Sequence, residues 1–188
     1  MLKSSGGKTR DNAIITYQLR DPFNMFASQM RSWKHDPPIP HGIRKTVKRL
    51  RSGFKEFAKE ALGITHNLPA GSIYINYNRW FSDKSYRDEL ANKLGLSKSD
   101  KDLNTVTGHG YGSSFDKKKF NGHAQQMNVL SRWKSCAGNR FYISMFDRET
   151  ISLSRRLFGP TPDFRNQQDV RLSQSVAKHF KHLVDKYC

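Results

Sequence analysis

Apolar residues recur along this chain in two rhythms. Ala13-Ile14-Ile15-Thr16-Tyr17-Gln18-Leu19 is a short, partly β-branched run and predicts a buried strand. Asp21-Pro22 follows at once, with Asp suited to cap a helix and Pro to its first position. The helix predicted from there runs to about Trp33, with Phe23, Phe26, Ala27 and Met30 on its apolar face. His35-Asp36-Pro37-Pro38-Ile39-Pro40 ends it. Ile43, Val47, Leu50, Phe54, Phe57, Ala61 and Leu62 then recur at helical spacing, so 43–62 reads as a long amphipathic helix stopped by Gly63. Ser72-Ile73-Tyr74-Ile75-Asn76-Tyr77 predicts a second strand. A helix over about 83–94 has Asp83 as its cap, Tyr86, Leu90 and Leu94 facing in, and Gly95 as its stop.

Residues 97–122, rich in Gly, Ser, Lys and Asp, read as a long surface loop, a length that is usually functional or disordered. Short helices are expected near 123–133 and 147–157, and a final amphipathic one at about 169–186. Strand, helix, helix, strand, helix is an α/β order and favours a small parallel sheet flanked by helices. Residues 1–12 are polar, and 13–188 read as one domain.

Charge changes this picture most. Lys plus Arg number 33 and Asp plus Glu 16, a net +17 on 188 residues. Such a field draws anions: nucleotides, nucleic acid, sulfated glycans or an anionic membrane surface, unless it is only a solvated basic surface. The 43–62 helix carries Arg44, Lys45, Lys48, Arg49, Arg51, Lys55 and Lys59 against Glu56 and Glu60. It is therefore the candidate surface if the partner is a nucleic acid. Hydrophobic residues make up 36% of the chain, low for a globular domain, but aromatics at 12% argue against wholesale disorder. Two cysteines, Cys136 and Cys188, form no CxxC pair, so a reducing compartment is the default. No apolar run reaches the roughly 20 residues of a membrane span, and the start is too polar for a signal peptide. With Met1 as the true start, the expectation is a cytoplasmic protein. The seven histidines show no metal-ligand spacing, and no metal is expected.

The first strand–helix turn holds the most suggestive chemistry. Arg20 sits at the carboxyl end of a strand, where open α/β sheets bind ligands. The helix after it offers free N–H groups and a positive dipole end, which suits an anion. Asp21, Asn24 and Ser28 form one polar stripe on an otherwise apolar helix, so Ser28 can donate to an anion held by the Arg20 fork. The same residues equally fit an Arg20 paired with Asp21 or another carboxylate and a Ser28 that is an exposed helix serine.

The run Ile14-Ile15-Thr16-Tyr17-Gln18-Leu19-Arg20-Asp21-Pro22, with Ser28 eight residues after Arg20, resembles the 3′-phosphate-binding motif of the PAPS-dependent sulfotransferases. Ile73-Tyr74-Ile75-Asn76-Tyr77-Asn78 and the helix end Lys93-Leu94-Gly95-Leu96 resemble that family's later strand, its tyrosine and its following helix. Gly112-Ser113-Ser114-Phe115-Asp116 and Val129-Leu130-Ser131-Arg132-Trp133-Lys134 are similar to the C-terminal part of bacterial and phage-type members. The resemblance implies a partial P-loop NTPase-like fold binding 3′-phosphoadenosine 5′-phosphosulfate (PAPS). Arg20 and Ser28 would hold the 3′-phosphate, Tyr77 would lie near the adenosine, and Ser113 and Ser114 would reach a phosphate from a closing loop. Phe115 and Trp133 are expected as core anchors. The implied reaction moves a sulfuryl group to a hydroxyl or amine acceptor, possibly a carbohydrate. Asn78 stands where the family usually has Glu.

The family's 5′-phosphosulfate loop lies upstream of the Arg-Ser motif, as does its general base. Ser4-Ser5-Gly6-Gly7-Lys8-Thr9 does not supply that loop: the first Gly of a Walker pattern would fall at Leu2, and the run precedes a strand instead of following one. The expectation is therefore a C-terminal part of the family domain, with an exposed sheet edge and limited stability, that binds nucleotide weakly and turns over little until completed by an upstream segment.

Overall fold

In a computed structural model of the protein, the structure describes residues 14–33, 42–98, 100, 102–106, 115–116 and 118–162. Two strands, β1 (Thr16–Leu19) and β2 (Ile73–Asn76), form a parallel sheet in the register Thr16 to Ile73 through Leu19 to Asn76. Six helices accompany them in the described residues: α1 (Pro22–Trp33), α2 (Gly42–Ala61), α3 (Tyr77–Ser82), α4 (Lys84–Lys93), α5 (Arg140–Ser144) and α6 (Arg148–Phe158). Single 3-10 turns lie at Ala124–Gln126 and Arg132–Cys136. The α/β order read from the sequence thus holds at the level of a small parallel sheet with helices. The helix expected at 169–186 lies outside the described residues.

Two apolar clusters hold these elements, and α2 takes part in both. Its first half offers Ile43 and Val47 to a core with Phe26, Ala27, Met30, Trp33, Cys136, Tyr142 and Met145. Its second half sets Phe54 and Ala58 against Leu19 of β1 and Leu153 of α6. Twenty residues rise about 30 Å along a helix, enough to span both cores. The α1 helix is the most enclosed element, with even its polar Asn24 buried. Tyr142 lies fully buried against it and donates its hydroxyl to the Phe23 carbonyl at 2.8 Å, so this buried phenol is satisfied.

Several expectations need correction. The first strand is short and only Leu19 of it is buried, while Ile14 and Ile15 are 54% and 40% exposed. An apolar run predicts burial only where something covers it, and the buried cluster with α2 and α6 takes in only Leu19 at the carboxyl end of β1. Phe57 is exposed as well, its ring tilted against that of Tyr17 with centroids 5.9 Å apart. The expected helix at 123–133 is replaced by two 3-10 turns, and α3 and α5 were not foreseen. Asp83 does cap α4 by accepting from Tyr86 N–H, but its own N–H also closes α3 on Arg79. One residue thus ends one helix and starts the next, which hides the break from a periodicity search. Tyr86, Leu90 and Leu94 are only half-buried, because little packs over α4. No helix among the described residues is long and apolar enough to cross a membrane.

The α2–α6 contact is bound at its edge by charge. Lys55 bridges Asp147 at 2.7 Å and Glu149 at 2.8 Å, Lys59 reaches Glu149 at 2.7 Å, and Arg51 lies 3.6 Å from Asp147. Partial burial disfavours the Asp147 carboxylate, but hydrogen bonds from Lys55 and from the Thr150 N–H and hydroxyl outweigh it and hold the group at about 2. A depressed carboxylate contributes stability above its unfolded value and loses it as pH falls through the folded one. Urea unfolding of wild type should therefore weaken between about pH 4 and pH 2. Asp147→Asn, which keeps the helix cap, should lose about 1 kcal/mol at neutral pH after solvent screening and show a flatter acid limb. Identical acid limbs would contradict this role.

Candidate functional site

The junction between β1 and α1 is built on a buried carboxylate. Asp21 Oδ1 accepts from the Asn24 N–H at 2.8 Å, which caps α1, and both carboxylate oxygens accept from Asn24 Nδ2. Asn78, just beyond β2, donates from Nδ2 to Asp21 Oδ2 at 3.0 Å, and its Oδ1 faces the Asp21 N–H at 3.4 Å. The ends of the two parallel strands are thereby tied. A glutamate at position 78 could only oppose Asp21, so Asn78 has a local reason to be an amide.

Asn24 carries the tie to a third segment. Its Nδ2 donates to the Leu130 carbonyl at 3.0 Å, and its Oδ1 accepts from the Trp133 N–H at 3.3 Å. The Arg132–Cys136 turn is thus seated on α1, and Trp133 and Phe115 pack at the edge of the first core, as expected of core anchors. The polar stripe of Asp21, Asn24 and Ser28 is consequently filled by the chain itself. Ser28 Oγ accepts from Arg132 Nη1 at 3.2 Å, which leaves its own O–H able to donate.

Arg20 stands beside this seam. Its Nη2 donates to the Val129 carbonyl, and its guanidinium lies 5.2 Å from the centre of the Tyr77 ring. It makes no ion pair with Asp21, whose carboxylate is engaged by the two asparagines. Among the described residues Arg20 Nε is buried without a hydrogen-bond partner, a costly state for a charged donor. Burial pushes the Arg20 guanidinium down, and the like charge of Arg132 adds to this, while Tyr77 and Asp21 oppose it. Arg132 is 8% exposed and is likewise pushed down by burial, offset by Asp116, to which its Nη2 donates at 3.2 Å. A half-buried guanidinium, Arg20, and a buried one, Arg132, feel each other here, and Arg20 Nε and the Ser28 hydroxyl keep donor capacity that an anion would complement.

An aromatic cavity of about 320 Å³ opens beside Arg132. Tyr77, Trp80 and Phe81 of α3 form one wall, with the Tyr77 ring stacked at 5.9 Å from Trp80 and 6.2 Å from Phe81. Asp102, Thr105, Val106 and Met127 also line it. The Asn104 carbonyl, which accepts from the Gly122 and Ala124 N–H groups, closes the turn behind them. Part of the segment read as a long, functional or disordered surface loop is cavity wall. The volume is at the lower end for small-molecule sites, and flat rings lined by apolar groups suit a planar base.

Of the residues predicted for the site, Arg20 and Tyr77 touch, and Ser28 joins them through Arg132. Ser113 and Ser114 lie outside the described residues. Arg132 and Asn24 were not singled out for these roles. For Asn24 the signal was available, since Asp-x-x-Asn at a helix start pairs a cap with a donor one turn on. Among the described residues no group of three or more His, Cys, Asp or Glu could hold a metal. Comparison of the chain with protein-family models, with curated proteins and with solved structures finds no match.

Replacing Asn78 by Asp tests the junction directly. The variant loses a donor and faces Asp21 with a second carboxylate, so it should lose about 2 kcal/mol at pH 7 by urea unfolding. The deficit should shrink below about pH 5, where one shared proton restores a hydrogen bond. A deficit equal at pH 7 and pH 4 would show that Asn78 does not act through Asp21.

Proposed function

We propose that the chain binds a 3′-phosphorylated adenine nucleotide in the manner of a PAPS-dependent sulfotransferase, on a partial P-loop NTPase-like fold. The observation that carries this reading is Arg132: one side chain both lines the aromatic cavity and donates to Ser28, next to Arg20. A nucleotide is an anion joined to a planar base, and this arrangement offers a pair of guanidiniums joined to a ring-lined cavity. Arg20, Arg132 and the Ser28 hydroxyl would hold the 3′-phosphate, and a phosphate oxygen would give the orphaned Arg20 Nε its acceptor. Tyr77, Trp80 and Phe81 would receive the adenine. The similarity of the Leu19–Pro22 turn and Ser28 to the sulfotransferase motif supports the same assignment from an independent direction.

The fit is to the 3′-phosphoadenosine portion. Bound PAPS would bring the sulfuryl group, and the residues described here bind and orient it at the far end of the nucleotide from the transferred group. Acceptor sulfation therefore stands as the reaction class that the resemblance implies, with a hydroxyl or amine as acceptor.

Calorimetric titration with adenosine 3′,5′-bisphosphate tests the reading. Arg20→Ala and Arg132→Ala should each weaken binding about 10- to 100-fold, the usual weight of a hydrogen bond to a charged group, and Ser28→Ala by less. Adenosine lacking phosphate should bind far more weakly than the bisphosphate. Equal affinity for the two ligands, or variants that bind as wild type does, would overturn the assignment.

A further inference from the structure

The basic residues of α2 fall into two sets with different fates. Arg51, Lys55 and Lys59 face α6 and are neutralised by Asp147 and Glu149. Glu60 is also spent inside the chain, accepting from Asn67 N–H, Leu68 N–H and the Thr65 hydroxyl. Arg44, Lys45, Lys48 and Arg49 remain: all four are exposed, and none forms an ion pair among the described residues. Arg44 with Lys48, and Lys45 with Arg49, stand four residues apart, so each pair stacks like charges on one helical row. That arrangement destabilises a helix, and nothing in the described chain offsets it. A net charge of +17 adds to the repulsion.

We propose that this exposed quartet is a docking surface for the phosphate backbone of a nucleic acid, separate from the nucleotide site. The four-residue step places successive cations about 6 Å apart along the helix, a ladder that a chain of regularly spaced single negative charges can follow. The arginines can fork onto phosphate oxygens and the lysines act as point charges. The four carry no aromatic ring, amide or carboxylate to stack on a sugar ring or accept from its hydroxyls, and the exposed Glu56 and Phe57 of α2 lie about two turns further on, with Phe57 packed on Tyr17. With all four side chains spent on phosphates, binding should be independent of sequence.

The test is fluorescence anisotropy of the full chain with labelled single- and double-stranded oligonucleotides of about 20 residues, at several salt concentrations. Four phosphate contacts contribute a slope of log affinity against log salt of about −2.8 on single strands and about −3.6 on duplex. Replacing Arg44, Lys45, Lys48 and Arg49 together by Ala should remove about that much of the slope and weaken binding at least about tenfold at low salt. A control that removes four exposed lysines elsewhere, Lys93, Lys98, Lys118 and Lys119, has the same net charge and should weaken binding less than about threefold. The quartet variant should melt no lower than wild type, since like-charge repulsion is relieved. Failure of wild type to bind any oligonucleotide, equal losses in quartet and control, or binding to a sulfated polysaccharide in place of nucleic acid would each overturn the proposal. Because Arg20 and Arg132 are intact in the quartet variant, its affinity for adenosine 3′,5′-bisphosphate should be unchanged, which keeps this result distinct from that of the nucleotide site.

Discussion

A carboxylate that is 5% exposed must find donors inside the protein, and the way Asp21 finds them organises everything around it. It takes the backbone N–H and amide of Asn24 and the amide of Asn78. The first starts α1, and the second joins the ends of two parallel strands that are far apart in sequence. Because Asn24 has its amide oxygen and a second N–H left over, it holds the Leu130–Trp133 backbone as well. One buried charge thus specifies the relative placement of β1, β2, α1 and a segment with no regular structure of its own. Apolar packing alone would not choose that register, since the rings of Phe23, Phe26 and Phe146 tolerate sliding more readily than three directional hydrogen bonds do.

The meeting of the two arginines follows from this constraint. Arg132 meets Ser28 only because the turn that carries it is seated on α1, and Arg20 meets the Val129 carbonyl for the same reason. Arg132 is buried and Arg20 half-buried, and hydrogen bonds from charged donors are stronger where water is partly excluded. The α2 surface is organised differently: its cations are solvated, evenly stepped and shallow. Converging donors suit one small anion, whereas a row of exposed cations suits a long one, which is why the two proposals name different ligands.

Legibility in the sequence tracked periodicity and local chemistry. The long helix α2 and the helix α6 lie within a residue of their expected bounds, because each buries a stripe at helical spacing over several turns. Gly63 and Gly95 end α2 and α4 as predicted, both with left-handed backbone. The five-residue helix α5 gave no periodic signal, although it carries fully buried Tyr142. Residues 123–136 look helical in composition but are held in 3-10 turns by contacts to a helix about a hundred positions earlier. Arg20, Ser28 and Tyr77 could be picked out because the strand–helix turn and the later strand are local features. Arg132 could not be tied to Ser28, because the two stand 104 positions apart and neither segment carries a trace of that contact.

The central claim is that Arg20 and Arg132, brought together by the Asp21–Asn24 seam, act on a single bound phosphate. A double-mutant cycle on adenosine 3′,5′-bisphosphate affinity tests it, using Arg20→Ala, Arg132→Ala and the pair together. If both guanidiniums grip one phosphate, the losses are coupled and the double variant loses less than the sum, by about 1 kcal/mol or more. Losses that add within about 0.3 kcal/mol, or no loss in either single variant, would show that the two arginines do not share a ligand.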